Sequence, residues 1–205
     1  MTYKDLPLFE NYSHIIGIDE VGRGCWAGPV HVGAYVISPE TKFVEGITDS
    51  KMLNLKKRMY YSSKLKEGNN FRIKFADKDD IDKGGIGRAI QNLILSLIAE
   101  LDPLYPNSIF VVDGQFAHPF TKNTIKEKKA DLNYYSVGAA SIIAKVERDL
   151  VMSQYHKIYP SYNFNRNKGY GTKGHQNALK EFGVTDLHRR SFKPVGATEK
   201  LFLIV

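Results

Sequence analysis

The apolar positions along this chain switch repeatedly between two periods. Ile15-Ile16-Gly17-Ile18 is a short run of the kind buried on both faces, and it predicts a strand ending in Asp19 and Glu20. From Pro29 to Ile37, Val30, Val32, Ala34 and Val36 alternate with other residues, which predicts a second strand. Asn54 has the chemistry of an N-cap for a helix through Lys66. Phe71, Ile73 and Phe75 alternate with Arg72 and Lys74, as in a strand with one wet face. Ile86, Ala89, Ile90, Leu93, Ile94, Leu97, Ile98 and Leu101 recur at spacings of three and four, an apolar stripe down one helix face. Pro103 and Pro106 close that helix, while Gly84, Gly85 and Gly87 weaken its start. Ile109 to Val112 predicts a further buried strand ending in Asp113-Gly114. A long helix is expected from about Val137 to His156, then a short one from Gly174 to Phe182 and a basic loop, His188-Arg189-Arg190.

Early strands followed by alternating helix and strand predict an α/β fold, with helices covering a mixed sheet. No repeat, low-complexity tract or long linker interrupts the 205 residues. One domain over residues 1–205 is therefore expected, with about 150–205 forming a helical and looped C-terminal extension packed on it. Hydrophobic residues make up 42% and charged residues 25%, ordinary for a globular protein. The lone cysteine, Cys25, has no internal partner, which suits a reducing compartment. Residues Met1 to Tyr12 lack an apolar signal core, and no stretch approaches the roughly 18 apolar residues of a membrane span. A cytosolic monomer with no membrane contact is expected. Lys and Arg exceed Asp and Glu by 29 to 22, giving a formal charge of +7. That balance favours polyanion partners, because each phosphate neutralised releases condensed counterions.

The acids give this bias a chemistry. Two buried-type strands end in carboxylates, Asp19 with Glu20 beside it, and Asp113. Ligands of open α/β sheets gather outside the carboxyl ends of strands. If the two strands are parallel neighbours, Asp19 and Asp113 converge, and Asp131 stands just before the long helix. Such a cluster suits hard divalent cations such as Mg²⁺, and two-metal phosphodiester cleavage with ions about 3.5–4 Å apart. Spacing alone leaves a second reading open: acids at strand ends also form turns, and Asp131 also fits as a helix cap. Neighbouring strand residues point to opposite faces, so Asp19 and Glu20 share one site only if the pleat breaks there. Gly22-Arg23-Gly24 follows at once. Its backbone amides suit contact with a ribose 2′-hydroxyl and Arg23 suits phosphate, although for an isolated loop of this kind a tight turn joining two strands is the better reading.

Taken together these residues resemble one family. Gly17-Ile-Asp-Glu-Val-Gly-Arg-Gly-Cys-Trp-Ala-Gly-Pro-Val30 is similar to the opening signature of ribonuclease HII. Thr48-Asp-Ser-Lys51, Val112-Asp-Gly114, Ala139-Ala-Ser-Ile-Ile-Ala-Lys145, Lys168-Gly-Tyr-Gly-Thr172 and His188-Arg-Arg-Ser-Phe192 match its later blocks in order. The resemblance implies a ribonuclease H-like fold: a mixed sheet flanked by helices, with a helical C-terminal extension. It implies an endoribonuclease that cuts the RNA strand of RNA–DNA hybrids and incises single ribonucleotides in duplex DNA, leaving 3′-hydroxyl and 5′-phosphate ends. Asp19, Glu20, Asp113 and Asp131 match the four metal-binding, catalytic acids, with Mg²⁺ or Mn²⁺ as cofactor. Gly22, Arg23 and Gly24 match the loop that contacts the 2′-hydroxyl, and Tyr170 the tyrosine that stacks on the deoxyribose beyond the ribonucleotide. Lys51, Lys145 and Lys168 become candidate phosphate contacts.

Ser141, Lys145 and Asp149 form a polar stripe on the long helix, for which a surface ion pair of Lys145 with Asp149 is the plainer reading. Arg189 and Arg190 read either as substrate contacts or as a solvated loop. Trp26, Gly85 and Gln115 depart from the family pattern, and packing is the expected role of Trp26. Two other readings compete. One is a non-catalytic hybrid-binding module on the same fold. The other is ribonuclease HIII, whose additional N-terminal domain has no room in the fourteen or so residues before the first strand. The apolar Leu201 to Val205 suits burial, or docking on a sliding clamp.

Overall fold

The computed structural model describes residues 3–48, 50, 52–68, 70–116, 120 and 123–202, with backbone only over 200–202. Lys51 and the last three residues of the apolar C-terminal segment lie outside them. The elements in chain order are β1 (His14–Val21), β2 (Val30–Ile37), α1 (Leu55–Lys66), β3 (Phe71–Ala76), α2 (Lys78–Gly84) and α3 (Ile86–Leu101). They continue with β4 (Ser108–Asp113), β5 (Thr124–Glu127), α4 (Ala130–Asn133), α5 (Tyr135–Ile158), α6 (Phe164–Asn167), α7 (Lys173–Phe182) and α8 (Lys193–Phe202). A 3-10 helix, Leu6–Glu10, precedes β1. No described helix is long and apolar enough to cross a membrane.

The strands form a mixed five-stranded sheet in the order β3-β2-β1-β4-β5, flanked by helices. The chain forms two compact units, each assembled from separated segments. The first comprises Met1–Val21, Val32–Lys74 and Gln91–Val146; the second comprises Gly22–His31, Phe75–Ile90 and Glu147–Val205.

In the first unit β1 pairs in parallel with β4, Ile18 opposite Val112. Its core includes Ile15, Ile37, Val111, Tyr135, Val137, Ala140 and Ile143. Glycines decide how close α5 comes to the sheet. A Cβ on Gly17 would lie 2.2 Å from the backbone of Ser136 and Val137, and one on Gly33 would lie 2.8 Å from the Ala140 carbonyl oxygen. Any larger residue at either position would push the helix outward. The buried Asp5 carboxylate serves the start of α5, accepting from the Tyr135 amide and from the Ser136 hydroxyl at 2.6 Å. That cap is supplied by Asp5, whereas the sequence offered Asp131; Asp131 instead lies inside the preceding short helix α4.

In the second unit Ala27, Met152, Tyr162, Phe164, Ala178 and Leu179 form a smaller core, with Trp26 packed against it. The glycine-rich start expected for α3 is a boundary between two helices. Gly85 takes φ +80°, its amide donates to the Ile81 carbonyl at the end of α2, and its own carbonyl accepts from Ala89 at the start of α3. A side chain would be strained at that φ. Asn54 caps α1 as predicted, its side chain accepting from the Lys57 amide at 2.9 Å. In β3 the expected inward face is incomplete, since Phe75 is 64% exposed.

Candidate active site

Asp19 and Asp113 each stand one residue beyond the Ile18–Val112 pair of adjacent parallel strands. They therefore occupy the same level and face of the sheet. Asp113 also builds the approach to the third acid, because its Oδ1 accepts from the Ala130 amide at 2.9 Å. Asp131 follows directly, and one carboxylate oxygen from each of Asp19, Asp113 and Asp131 lies within 4.8 Å of the others. Asp19 and Asp131 are buried, at 5% and 6% exposure. The structure thus brings three of the four predicted acids together. Glu20 lies outside that group, as strand alternation requires when β1 continues unbroken to Val21. It is still near enough that its charge ranks second, after burial, in raising Asp19.

Burial and the neighbouring acids Glu20, Asp113 and Asp131 hold the Asp19 carboxyl well above the ordinary carboxylate range. A hydrogen bond from Ser141 opposes them. Ser141 sits on the part of α5 that Gly17 and Gly33 admit against the sheet, and its Oγ lies 3.0 Å from that of the buried Ser50. When Asp19 is ionised it accepts the Ser141 proton, and Ser50 is then the donor to Ser141. Arg58 of α1 in turn donates to the Ser50 carbonyl at 3.1 Å. A chain of hydrogen bonds from α1 therefore orients Asp19; Ser50 appeared in the sequence only as part of the Thr48–Lys51 block, and Arg58 did not stand out at all. The donor set of oxygens alone, crowded and mutually repelling, fits a hard divalent cation.

The Gly22-Arg23-Gly24 loop belongs to the second unit. Gly22 is buried at φ +96°, and a Cβ there would lie 2.1 Å from Arg148 Nε, so only glycine fits. Arg23 and Gly24 are exposed. Two fully buried arginines hold the segment by its carbonyl groups. Arg148 Nε donates to Pro29 at 2.8 Å and Nη1 to Lys168 at 2.8 Å, while Arg189 Nε donates to Gly28 and Nη1 to Arg23, both at 3.0 Å. The His188-Arg189-Arg190 stretch is therefore not a solvated basic loop. His188 and Arg189 are buried, and only Arg190 is exposed, paired with Glu199 at 2.6 Å.

Tyr170 lies beside this loop. It forms an antiparallel bridge with Cys25, and its Cε1 is 4.0 Å from where a Gly24 Cβ would stand. Tyr170 is 38% exposed, yet burial, then the nearby Cys25 thiol, pushes its hydroxyl up to about 12. Trp26 packs as expected, against Gly171 and with its ring 5.7 Å from that of His175. Lys168 Nζ is engaged by the Ser153 hydroxyl at 3.1 Å and the Asp149 carbonyl at 3.4 Å. Asp149, which the sequence places four residues after Lys145, is buried. Lys145 is half-buried in the first unit.

A family model described as ribonuclease HII matches residues 16–195. The ribonuclease HII of Aliarcobacter butzleri is 42% identical over 88% of this chain and 91% of its own length. That of the Wolbachia of Brugia malayi is 40% identical over the full length of both chains. Among solved structures, the ribonuclease H2 of Pyrococcus horikoshii is 25% identical and superposes with a TM-score of 0.72, covering 93% of this chain and 99% of the other. The match runs through the strands that carry Asp19 and Asp113, the loop after them and the helices that support both. The chain belongs to the ribonuclease HII family of metal-dependent endoribonucleases.

Proposed function

We propose that this enzyme cleaves the RNA strand of RNA–DNA hybrids and incises duplex DNA at single embedded ribonucleotides, leaving 3′-hydroxyl and 5′-phosphate ends. The observation that carries the reading is the group of three carboxylates, from β1, β4 and α4, whose oxygens lie within 4.8 Å of one another. Asp19, Asp113 and Asp131, with Glu20 adjacent, would hold Mg²⁺ or Mn²⁺. Two such cations would supply an activated water on one side of the scissile phosphate and charge stabilisation on the leaving oxygen.

The chain's own residues do the rest. Ser141 keeps the Asp19 carboxylate turned toward its partners. Gly22, Arg23 and Gly24 recognise the 2′-hydroxyl and its phosphate, a role supported by the exposure of Arg23 and Gly24 above carbonyls fixed by Arg148 and Arg189. Tyr170, neutral and flanking Gly24, stacks on the sugar that follows the ribonucleotide, so a deoxyribose there is favoured. Lys51, Lys145 and Lys168 contribute positive charge along the substrate backbone.

The test is incision of a duplex carrying one ribonucleotide, with product ends mapped, in Mg²⁺ or Mn²⁺. Cleavage 5′ of the ribonucleotide with the stated ends, lost in Asp113→Asn, supports the reading. Failure of the wild-type protein to incise in either metal refutes it.

A further inference from the structure

Two histidines of the second unit, His175 and His188, are both fully buried, and the mechanism above uses neither. Their Nε2 atoms lie 3.0 Å apart. His188 Nδ1 accepts from the Thr185 amide at 2.9 Å, and His175 Nδ1 lies 3.0 Å from the Tyr170 carbonyl oxygen. The Thr185 hydroxyl also lies 2.9 Å from His188 Nδ1, and the two backbone ends fix the order of protons between neutral rings. An amide N–H only donates, so His188 Nδ1 is bare and its Nε2 carries the hydrogen. That hydrogen is donated to His175 Nε2, which leaves the His175 hydrogen on Nδ1, directed at the Tyr170 carbonyl. One continuous relay thus runs from the Thr185 amide through two neutral rings to the backbone of Tyr170.

The relay ends at a well-braced turn. Lys168 at φ +52° and Gly169 at φ +85° lead into Tyr170, whose amide donates to Asn167 at 2.9 Å and whose carbonyl also accepts from Thr172 at 2.8 Å. The other end is tied to the glycine loop, since His188 bridges Ala27 and Arg189 donates its amide to the Trp26 carbonyl at 2.8 Å. The rings of Tyr162 and Phe164 pack around the pair. Two phenylalanines would fill a similar volume, but they would take from the Thr185 amide its acceptor and from the Tyr170 carbonyl one of its two donors, leaving it Thr172 alone. Burial supports the neutral state, lowering His175 and taking His188 to about 3.

We propose that His175 and His188 are positioning residues for Tyr170, setting through their hydrogen-bond relay the placement of its ring against Gly24 and so the preference for a ribonucleotide followed by DNA. The inference rests on the reading of Tyr170 given above. Neither histidine touches substrate; both act through the Tyr170 backbone.

The test has two arms. Long-range ¹H–¹⁵N correlation at pH 7 should show His175 protonated on Nδ1 and His188 on Nε2; the reverse assignment, or a charged ring, overturns the relay whatever Tyr170 does. The second arm is the ratio of kcat/KM on a single-ribonucleotide duplex to that on a continuous hybrid. His175→Phe and His188→Phe should lower this ratio about tenfold, with no further loss when combined with Tyr170→Ala. His188→Gln, whose side-chain amide can still donate to His175, should hold the ratio within about threefold of wild type, and it serves as the folded comparison if the phenylalanine variants do not fold. An unchanged ratio in the histidine variants beside a collapsed one in Tyr170→Ala overturns the positioning role and spares the reading of Tyr170. An unchanged ratio in Tyr170→Ala overturns that reading and the proposal with it.

Discussion

Replacing Asp19 by asparagine should stabilise the metal-free protein while ending catalysis, two effects of opposite sign from one atom. Unit charges 4.8 Å apart, the outer limit within the acid cluster, repel by about 3.5 kcal/mol at an effective dielectric constant of about 20. Asp19 relieves part of this by keeping its proton, which is why its pKa stands well above the ordinary 3.8. An acid raised in this way binds more protons folded than unfolded. Stability is therefore intact below pH 3.8 and falls as pH rises through the raised value. Asparagine has no such proton to lose. The gain should be near zero at about pH 4 and reach about 1–3 kcal/mol at about pH 8, or roughly 2–12 °C in melting temperature for a chain of this size. Thermal unfolding in chelator at both pH values measures it. Millimolar Mg²⁺ should then raise the wild-type melting temperature more than that of the variant, because cation binding favours the folded state. An Asp19→Asn protein that melts below wild type in chelator at pH 8, or a difference that ignores pH, would refute the reasoning.

Other expectations follow from single contacts. Ser141→Ala removes the hydrogen bond that orients Asp19 and strands Ser50, at about 1–2 kcal/mol; the Mg²⁺ concentration for half-maximal cleavage should rise about 3- to 10-fold, and an unchanged metal titration would count against that role. Gly22→Ala places a methyl 2.1 Å from Arg148 Nε at a φ of +96°, which should cost more than about 2 kcal/mol in urea unfolding; a cost below 1 kcal/mol would mean the loop yields. The folded state binds fewer protons at His188, at about 3 against an ordinary 6.5, so stability should fall as pH drops across that window, by at most about 5 kcal/mol. His188→Phe should flatten this acid limb in melting curves between pH 7 and 4, and parallel curves would exclude the histidine as its source.

Much of the acid-bearing end of the sheet was legible because it depends on local rules. A buried strand ending in an acid reads directly from Ile15 to Asp19 and from Ile109 to Asp113, and parallel pairing then needed only the register Ile18–Val112 to bring them level. One acid misleads. Asp131 reads as a cap only while Asp5 is ignored, and no local pattern announces that a residue 130 positions away supplies the cap. The buried arginines were the least legible part. Arg148 and Arg189 carry the commonest surface charge, and nothing in composition or period distinguishes a guanidinium that gathers loop carbonyls from one that faces solvent. Short elements also escaped: α2 and the four-residue β5 have too few residues to show a period.

The dependence of α5 on Asp5 has a consequence for the order in which the enzyme is made. The start of that helix is completed by a side chain near the beginning of the chain, and the strands bearing Asp19 and Asp113 pair across almost a hundred intervening residues. Contacts so distant in sequence form late. A growing chain that has not reached Ser141 lacks both the helix that Asp5 caps and the hydrogen bond to Asp19, so the finished arrangement of the acids waits on the middle of the sequence.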